Sequence, residues 1–125
     1  MSHVAVFVTT SSAEEAQRIA RAVVDERLAA CANVLGAVAS RYWWQGQVEE
    51  ASEVLLILKT RQDLLDALTA RVRSMHSYTV PEVIGLPIVG GNPDYLAWID
   101  ESVEPTQPTP PTQPTQSPAA STDDS

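Results

Sequence analysis

The sequence has little of several residue types on which common scaffolds and sites depend. It contains a single cysteine, Cys31, and two histidines among 125 residues. With one cysteine no intrachain disulfide forms, and the simplest compartment for such a chain is the cytoplasm. No stretch approaches the roughly 20 apolar residues that a membrane-spanning helix needs. The first ten residues show no signal-peptide pattern, so we expect no association with a membrane.

Basic residues are also scarce. The chain has eight Lys and Arg against sixteen Asp and Glu, which gives a formal net charge of −8 at pH 7. The basic residues form no run or stripe, whereas nucleic acids and anionic membranes are bound largely through neutralisation of their negative charge. The sequence therefore argues against both as partners.

The last part of the chain, residues 104–125, differs in composition from the rest. It holds six of the nine prolines and contains neither an aromatic nor a basic residue. Such a segment cannot bury enough apolar surface to offset the entropy of ordering it. We therefore predict one folded domain over residues 1–103 and a disordered tail, rich in Pro, Thr and Ser, over residues 104–125.

The hydrophobic periodicity of residues 1–103 predicts four strands and three helices. An N-cap serine with a glutamate three positions on, within Ser11-Ser12-Ala13-Glu14-Glu15, forms a capping box and predicts the start of the first helix. The expected elements are strand His3–Thr9, helix Ser12–Ala30, strands Ala32–Trp44 and Gln47–Thr60, a helix opening at Asp63-Leu64-Leu65, strand Val80–Val89 and a short helix capped by Asn92.

This order, βαββαβ with an extra C-terminal helix, predicts an α+β fold. Two right-handed crossovers with a hairpin between them give a ferredoxin-like sandwich, in which the helices cover one face of the sheet. The other face carries strands that are too apolar to remain in water. We therefore expect that face to be covered.

The second and third strands form a long hairpin. Each arm has about 13 residues and spans ~43 Å at about 3.3 Å per residue. The arms therefore either bend, with Gly36 as the candidate position, or project and carry Tyr42, Trp43 and Trp44 away from the body. Exposed aromatic residues beside a strand edge favour oligomerisation with cyclic symmetry. The alternative is a hairpin that folds its aromatic residues onto its own sheet.

The segment from His76 to Pro87 predicts a helix end, a turn and a buried strand. His76, near Tyr78 and Glu82, is placed to act as a metal ligand, a proton carrier or a hydrogen-bond donor. The structural alternative is a histidine at a helix C-cap or interface, held by a backbone carbonyl. A single histidine with scattered carboxylates has no metal-ligand spacing such as C-x-x-C.

Other polar residues have ordinary interpretations. Glu49, Glu50 and Glu53 follow the hairpin turn and are expected on an outward strand face, with Glu49 directed to a partner subunit. Lys59 is either a strand-end lysine or the partner of Glu82 in a buried pair.

Sequence motifs do not favour an enzyme. The chain has no GxGxxG, GxxxxGK[ST], GxSxG or HExxH pattern. Cys31 lies among alanines, which is typical of a buried thiol that acts as a small hydrophobic residue. We therefore expect a binding protein without catalytic residues.

Several motifs in order make the chain similar to the CutA family of divalent-cation-tolerance proteins over nearly all of residues 4–103. They are Val8-Thr9-Thr10, Glu26-Arg27-Leu28-Ala29-Ala30-Cys31-Ala32-Asn33, Tyr42-x-Trp44-x-Gly46-x-Val48-Glu49, Leu58-Lys59-Thr60, His76-x-Tyr78-x-Val80-Pro81-Glu82 and Gly91-Asn92-Pro93-Asp94-Tyr95-Leu96-Ala97-Trp98.

The resemblance implies a homotrimer that is similar in architecture to the P-II signalling proteins, with hairpins crossing between neighbours. It also implies a link to divalent metals, copper especially, and no established enzymatic activity. Family members with a proposed copper site have a cysteine where this chain has Thr9, and a histidine pair where it has Met75 and His76. Of these three positions, only His76 has the residue type found in those family members.

Two functions follow from the residues and the resemblance together. In the first, a trimer responds to metal ions, and His76, with Glu82 or a neighbour's carboxylate, weakly binds copper or another divalent cation. The alternative is a P-II-like module that holds a small anionic metabolite or nucleotide in a cleft between subunits. We expect this cleft to be lined by Tyr42, Trp44, Glu49, Lys59 and Tyr78, beside His76 and Glu82. A third interpretation is a structural trimer whose tail recruits partners.

Overall fold

The computed structural model describes residues 2–103, and the predicted tail lies outside the described residues. The elements in chain order are β1 (His3–Thr10), α1 (Ala13–Asp25), β2 (Cys31–Trp44), β3 (Gln47–Arg61), α2 (Leu65–Met75), β4 (Val83–Ile88) and α3 (Pro93–Ser102). A 3-10 turn over Gln62–Leu64 leads into α2. Among the helices of residues 2–103, none is both long and apolar enough to cross a bilayer.

The four strands form one sheet in the order β2-β3-β1-β4. All three neighbouring pairs are antiparallel. Helix α1 follows β1 and helix α2 follows β3, and both pack on the same face of the sheet. This is the ferredoxin-like arrangement, so the predicted α+β class is confirmed.

The main core lies between the sheet and these two helices. Successive residues of a strand point to opposite faces, and the helix-facing residues of β1 and β3 are almost completely buried. Burying each large aliphatic side chain contributes roughly 1.5–3 kcal/mol. The cluster consists of Val4, Val6, Val8, Ile19, Val23, Ala29, Leu56, Leu58, Leu68 and Val72.

Helix α3 packs at the end of the sheet where β1 begins. Its residue Ile99 and the following Val103 form a second, smaller cluster with Ala30. The Nε2 atom of His3 lies 2.9 Å from the Oδ1 atom of Asp100. A hydrophobic contact and a polar one therefore join the last helix to the body of the domain.

The first helix is shorter than the predicted span Ser12–Ala30, because α1 ends at Asp25. Arg27 has a φ of 61°, in the left-handed region that commonly ends a helix. The backbone N–H of Leu28 then donates to the carbonyl of Val23 at 2.9 Å. Leu28 continues the apolar pattern because it packs on the core from this turn, which is why periodicity overestimated the helix.

The fourth strand is also shorter than the predicted span Val80–Val89. Its pairing with β1 begins where Val83 lies opposite Val8. Beyond that point the Thr9 carbonyl is bonded to a histidine ring instead of a strand, and Pro81 has no N–H to offer a neighbouring strand. The residues just before β4 therefore leave the sheet.

The β2-β3 hairpin turns at Gln45 and Gly46, which have φ values of 51° and 80°. Positive φ at both positions is typical of a tight two-residue hairpin turn. The pairing of the two strands is irregular between Val34 and Ala37, where the sequence predicts a bend. Residues 41–50 are all exposed, so in the single chain the end of the hairpin projects.

Helix α2 approaches β4 at Gly85. A Cβ atom at this position would lie 3.0 Å from the Cδ2 atom of Leu65. Gly85→Val therefore crowds the Leu65 side chain, which has to shift, and we expect the free energy of unfolding to fall by about 1 kcal/mol. Gly36→Val is the matched control, since a Cβ atom there meets nothing within 4 Å. Urea unfolding measures both, and equal midpoints would contradict this account of the packing.

Candidate functional site

His76 follows the last residue of α2, and its side chain is fully buried. Its Nε2 atom lies 2.8 Å from the carbonyl oxygen of Thr9, and the backbone N–H of Tyr78 donates to its Nδ1 atom at 3.0 Å. Since the Thr9 carbonyl only accepts, Nε2 carries a hydrogen, and since Nδ1 accepts from Tyr78, it carries none. The ring in this geometry is therefore the neutral form with its hydrogen on Nε2. This is the geometry of the structural alternative. Metal binding by His76 stays a prediction, and it requires the ring to break one of these bonds.

A buried carboxylate beside His76 holds the segment that follows α2. Glu15 is 3% exposed. Its Oε1 atom accepts from the backbone N–H and the hydroxyl of Ser11, both at 2.9 Å, and its Oε2 atom accepts from the N–H of Ser77 at 2.7 Å. Its own N–H donates to Ser12 Oγ at 3.1 Å, as the predicted capping box requires. One carboxylate therefore joins the start of α1 to the chain beyond α2.

The hydrogen bonds to Glu15 keep it ionised. Burial raises the pKa of this carboxyl, but the hydrogen bonds from Ser11 and Ser77 outweigh burial and lower the pKa to about 2. The Nδ1 atom of His76 lies 3.8 Å from Glu15 Oε2, yet this nitrogen already accepts from Tyr78 and carries no hydrogen. The contact is therefore no ion pair.

Tyr78 crosses from this segment to the open face of the sheet, the face that the helices leave uncovered. Its hydroxyl donates to the Oε2 atom of Glu53 at 2.8 Å, and its ring centroid lies 4.7 Å from that of His76. Burial, and then the carboxylate of Glu53, raise the pKa of Tyr78 well above its usual value. The phenol therefore remains a hydrogen-bond donor.

A groove of about 680 Å³ opens beside the Tyr78–Glu53 pair. The hairpin, from Ser40 and Glu53 to Trp44 beside its turn, forms one wall, and the end of β1 and the segment before β4 form the others. The hydroxyl of Thr9 donates to Glu82 Oε1 at 3.4 Å within it. The lining residues are Thr9, Ser40, Arg41, Tyr42, Trp44, Glu53, Ser77, Tyr78, Thr79, Val80 and Glu82.

The groove unites four of the residues that the sequence singled out. Tyr42 and Trp44 come from β2, and Tyr78 and Glu82 from the segment before β4. Glu49 is exposed on β3 opposite Tyr42 and does not line the groove. Whether a second subunit adds Glu49 to such a cleft stays a prediction.

Lys59 lies elsewhere in the chain. It pairs with Ala5 along β1, roughly 13 Å from Thr9 at about 3.3 Å per residue. It lines a second groove of about 620 Å³ and donates from Nζ to the Oδ1 atom of Asn33 at 2.8 Å. Within one chain Lys59 is therefore no partner for Glu82, and this part of the prediction is wrong, because the two residues lie towards opposite ends of β1.

Glu53 is the residue of the groove that sequence reasoning placed wrongly. It was expected on an outward face with Glu49 and Glu50, and those two are exposed, but Glu53 is only 7% exposed. The signal was the alternation along β3, since Glu53 shares a face with Leu55 and Ile57. The sequence already predicted that this apolar face is covered.

The residues near His76 do not fit a copper ion. Across residues 2–103, no group of three or more His, Cys, Asp and Glu side chains is arranged to hold a metal. Thr9 supplies no thiolate, and Met75 packs against the main core. Soft ligands of the kind that copper(I) prefers are thus not directed to one point here.

Cys31 lies apart from His76, at the end of β2 next to Lys59. Its thiol is half-buried, and its Sγ atom lies 3.6 Å from the hydroxyl of Tyr95. Burial and this thiol raise the pKa of Tyr95 to about 12. A Cys–His catalytic pair is therefore not formed by Cys31 and His76.

Comparison with known proteins gives a consistent result. The family profile described as CutA1 divalent ion tolerance protein matches residues 4–102. The rice relative "Protein CutA 1, chloroplastic" is 50% identical over 99 residues, which cover 79% of this chain and 56% of the relative. The mouse and human CutA proteins are also matched over 56% of their length, so the chain spans little more than half of these relatives.

Solved structures are similar over most of their length. The crystal structure of CutA1 from Oryza sativa has a TM-score of 0.80 and 47% identity, covering 83% of this chain and 95% of that one. The protein from Archaeoglobus fulgidus, described as a periplasmic divalent cation tolerance protein, has a TM-score of 0.79 and 41% identity, covering 82% and 99%.

The Glu15 carboxylate makes stability depend on pH. Its pKa is lowered from 4.5 to about 2 in the folded chain, so its contribution is complete above about pH 4.5 and lost as the pH falls towards 2. We expect Glu15→Gln to lower the free energy of unfolding by about 2 kcal/mol at pH 7, and the difference from wild type to shrink below pH 4.5. Thermal unfolding between pH 7 and 2.5 measures this. Glu14→Gln, an exposed neighbour, is the control, and a deficit independent of pH would contradict the account.

Proposed function

Because this chain belongs to the CutA1 divalent ion tolerance family, we propose that it acts in cellular tolerance of divalent cations by binding them, without catalysis. The proposed site is the groove between the hairpin and the segment before β4. Several of the matched relatives are longer than this chain, so tolerance of divalent cations is only proposed for it. A cytoplasmic location belongs to it as well, although one archaeal relative is described as periplasmic.

The observation that supports the groove is its charge. Glu53 and Glu82 both line it, and carboxylate oxygens are ligands for hard divalent cations. Arg41 is the one basic residue among the lining residues, and it forms an ion pair with Glu50. The chain as a whole has a net charge of −8, which favours the approach of cations.

The donor set favours weak binding through oxygen atoms. Two carboxylates, with Thr9 beside one of them, leave most of a metal's coordination positions to water or to a neighbouring subunit. His76 then acts as a positioning residue, because its ring holds the Thr9 carbonyl and the Tyr78 backbone. Copper(I), which prefers sulfur ligands, gains least from this arrangement.

We also propose that the chain forms the homotrimer expected from its family, with a P-II-like arrangement of subunits. The support is the uncovered apolar face of the sheet. Phe7, Leu55 and Ile57 are only half-buried on it, and Ile84 and Leu86 are 51% and 41% exposed. Neighbouring subunits that cover this face would remove the exposed apolar surface.

A small anionic ligand has less support. Lys59, the one basic residue of the expected cleft, lies in the second groove of the single chain, where it is bonded to Asn33. Two carboxylates in the main groove oppose the binding of an anion there. We therefore retain the cation as the proposed ligand.

Calorimetric titration with zinc and with copper(II) tests the metal proposal. Glu82→Gln keeps the shape of the side chain and removes its charge, so we expect a loss of at least about fivefold in affinity, or ~1 kcal/mol. Glu101→Gln, an exposed glutamate on α3, is the control and should bind like wild type. Equal binding by all three proteins would exclude Glu82. Loss of binding in a folded His76→Ala variant alone would instead assign the metal to His76.

Sedimentation velocity tests the trimer. Ile84→Lys places a charge on the face proposed to be buried between subunits, so we expect the variant to sediment as a monomer where the wild type sediments as a trimer. Val89→Lys is the matched control, because Val89 is 99% exposed just after β4. A trimer that tolerates Ile84→Lys would show that another surface forms the interface.

A further inference from the structure

The second groove lies at the start of β2, away from the proposed metal site. Strand β2 is at the edge of the sheet, and its first residues, from Cys31 to Asn33, line this groove of about 620 Å³. Residues of α1 and of α3 complete the lining. The apolar open-face residues that we propose the trimer covers are not among them. The second groove is therefore distinct from both the metal site and the proposed subunit contact.

Two neighbouring aromatic rings of α3 line the second groove. Tyr95 and Trp98 are three positions apart in the helix and so lie next to each other on its surface. Their ring centroids are 5.3 Å apart, and the ring planes are tilted by 40°. Both side chains are half-buried, so part of each ring remains open to the groove. Grooves lined by aromatic rings are surfaces on which proline-rich segments dock in the polyproline II conformation.

The chain itself supplies a proline-rich segment directly after α3. Four of the six prolines in residues 104–125 recur at intervals of three residues, namely Pro105, Pro108, Pro111 and Pro114. A polyproline II helix has three residues per turn, so in this conformation these four prolines share one side. The other two, Pro110 and Pro118, fall outside this register. The repeat therefore predicts a continuous edge of proline rings.

The position at which α3 ends brings this segment within reach of the second groove. Val103 packs with Ala30, which lines the groove. Trp98 lies four residues before Ser102, the last residue of α3, or roughly 6 Å at about 1.5 Å per residue. Residues 105–114 span ~28 Å in polyproline II at about 3.1 Å per residue. This length is enough for the segment to turn back and pass both rings.

The covalent connection makes weak binding sufficient. A short linker gives an effective concentration on the order of 1 mM, so a segment whose free peptide binds with a Kd of about 1 mM is docked about half of the time. The charges are also complementary. Residues 104–125 hold three acidic residues and no basic one, whereas the second groove is lined by Arg21 and Lys59 against Asp25 alone.

We propose that residues 105–114 dock in the second groove in the polyproline II conformation, with the proline edge against Tyr95 and Trp98. The docked segment covers the start of β2, where an edge strand otherwise offers backbone groups to other chains. The prediction of a disordered tail applies to its unbound state. The proposal is independent of metal binding, because Glu53 and Glu82 line the other groove.

The first test compares variants of the full chain whose substitutions lie in the tail, so the sequence of the folded domain is unchanged. Pro108→Ala with Pro111→Ala removes two prolines of the edge, and Pro110→Ala with Pro118→Ala, the matched control, removes two outside it. The indole N–H signal of Trp98, assigned with Trp98→Phe, is followed in 1H–15N NMR spectra. We expect it to move in the first variant only. A signal that coincides in all three proteins, or moves equally in both variants, overturns the proposal.

Cleavage by a proline-specific endopeptidase tests the contribution of the ring. A docked segment is protected while it is bound, so half-time docking predicts that the tail of Trp98→Leu is cleaved about twofold faster than that of wild type. Trp43→Leu changes an exposed ring of the hairpin and should be cleaved like wild type. Mass spectrometry measures the rates, and cleavage confined to residues 104–125 shows that the domain is still folded. Equal rates for the three folded proteins overturn the proposal and leave the second groove to a ligand from outside the chain.

Discussion

The hydrogen bonds of the Glu15 carboxylate determine where the groove lies and what lines it. The chain leaves α2 at the end of β1, and Glu15 holds it there by accepting from Ser11 and Ser77. His76 can then bond to the Thr9 carbonyl, and Tyr78 reaches Glu53 on the opposite face of the sheet. A longer hydrogen bond, 3.5 Å from the Ser77 hydroxyl to the Ser11 hydroxyl, adds to this attachment.

Glu15 and Glu53, the two buried carboxylates at this end of the sheet, differ in the number of hydrogen bonds that they accept. Glu15 accepts three hydrogen bonds, and its charge is stabilised inside the protein. Glu53 is almost as deeply buried but accepts one, from a neutral phenol. A carboxylate that already accepts several hydrogen bonds stabilises the fold, whereas one that accepts a single hydrogen bond has oxygen lone pairs left for a ligand. This contrast separates the structural side of the junction from the side that faces the groove.

Most of the fold was predictable from the sequence because its signals are local. The capping serine, the apolar alternation of β1 and the turn at Gln45-Gly46 each determine their own neighbourhood. The predictions that were wrong concern features that depend on contacts between residues far apart in the sequence. The end of α1 depends on a turn whose apolar residue still packs on the core. The burial of Glu53 depends on Tyr78, 25 residues away, and the separation of Lys59 from Glu82 depends on the strand register.

The polar contact between His3 and Asp100 holds the two ends of the domain close to each other. It joins the first strand to the last helix, so residues 3 and 103 both lie near the end of the sheet opposite the groove. Along β1 from His3 to Thr9 the separation is roughly 20 Å at about 3.3 Å per residue. A fusion partner, surface tether or fluorescent label joined at either end of the domain therefore starts at a distance from the groove and leaves its entrance accessible.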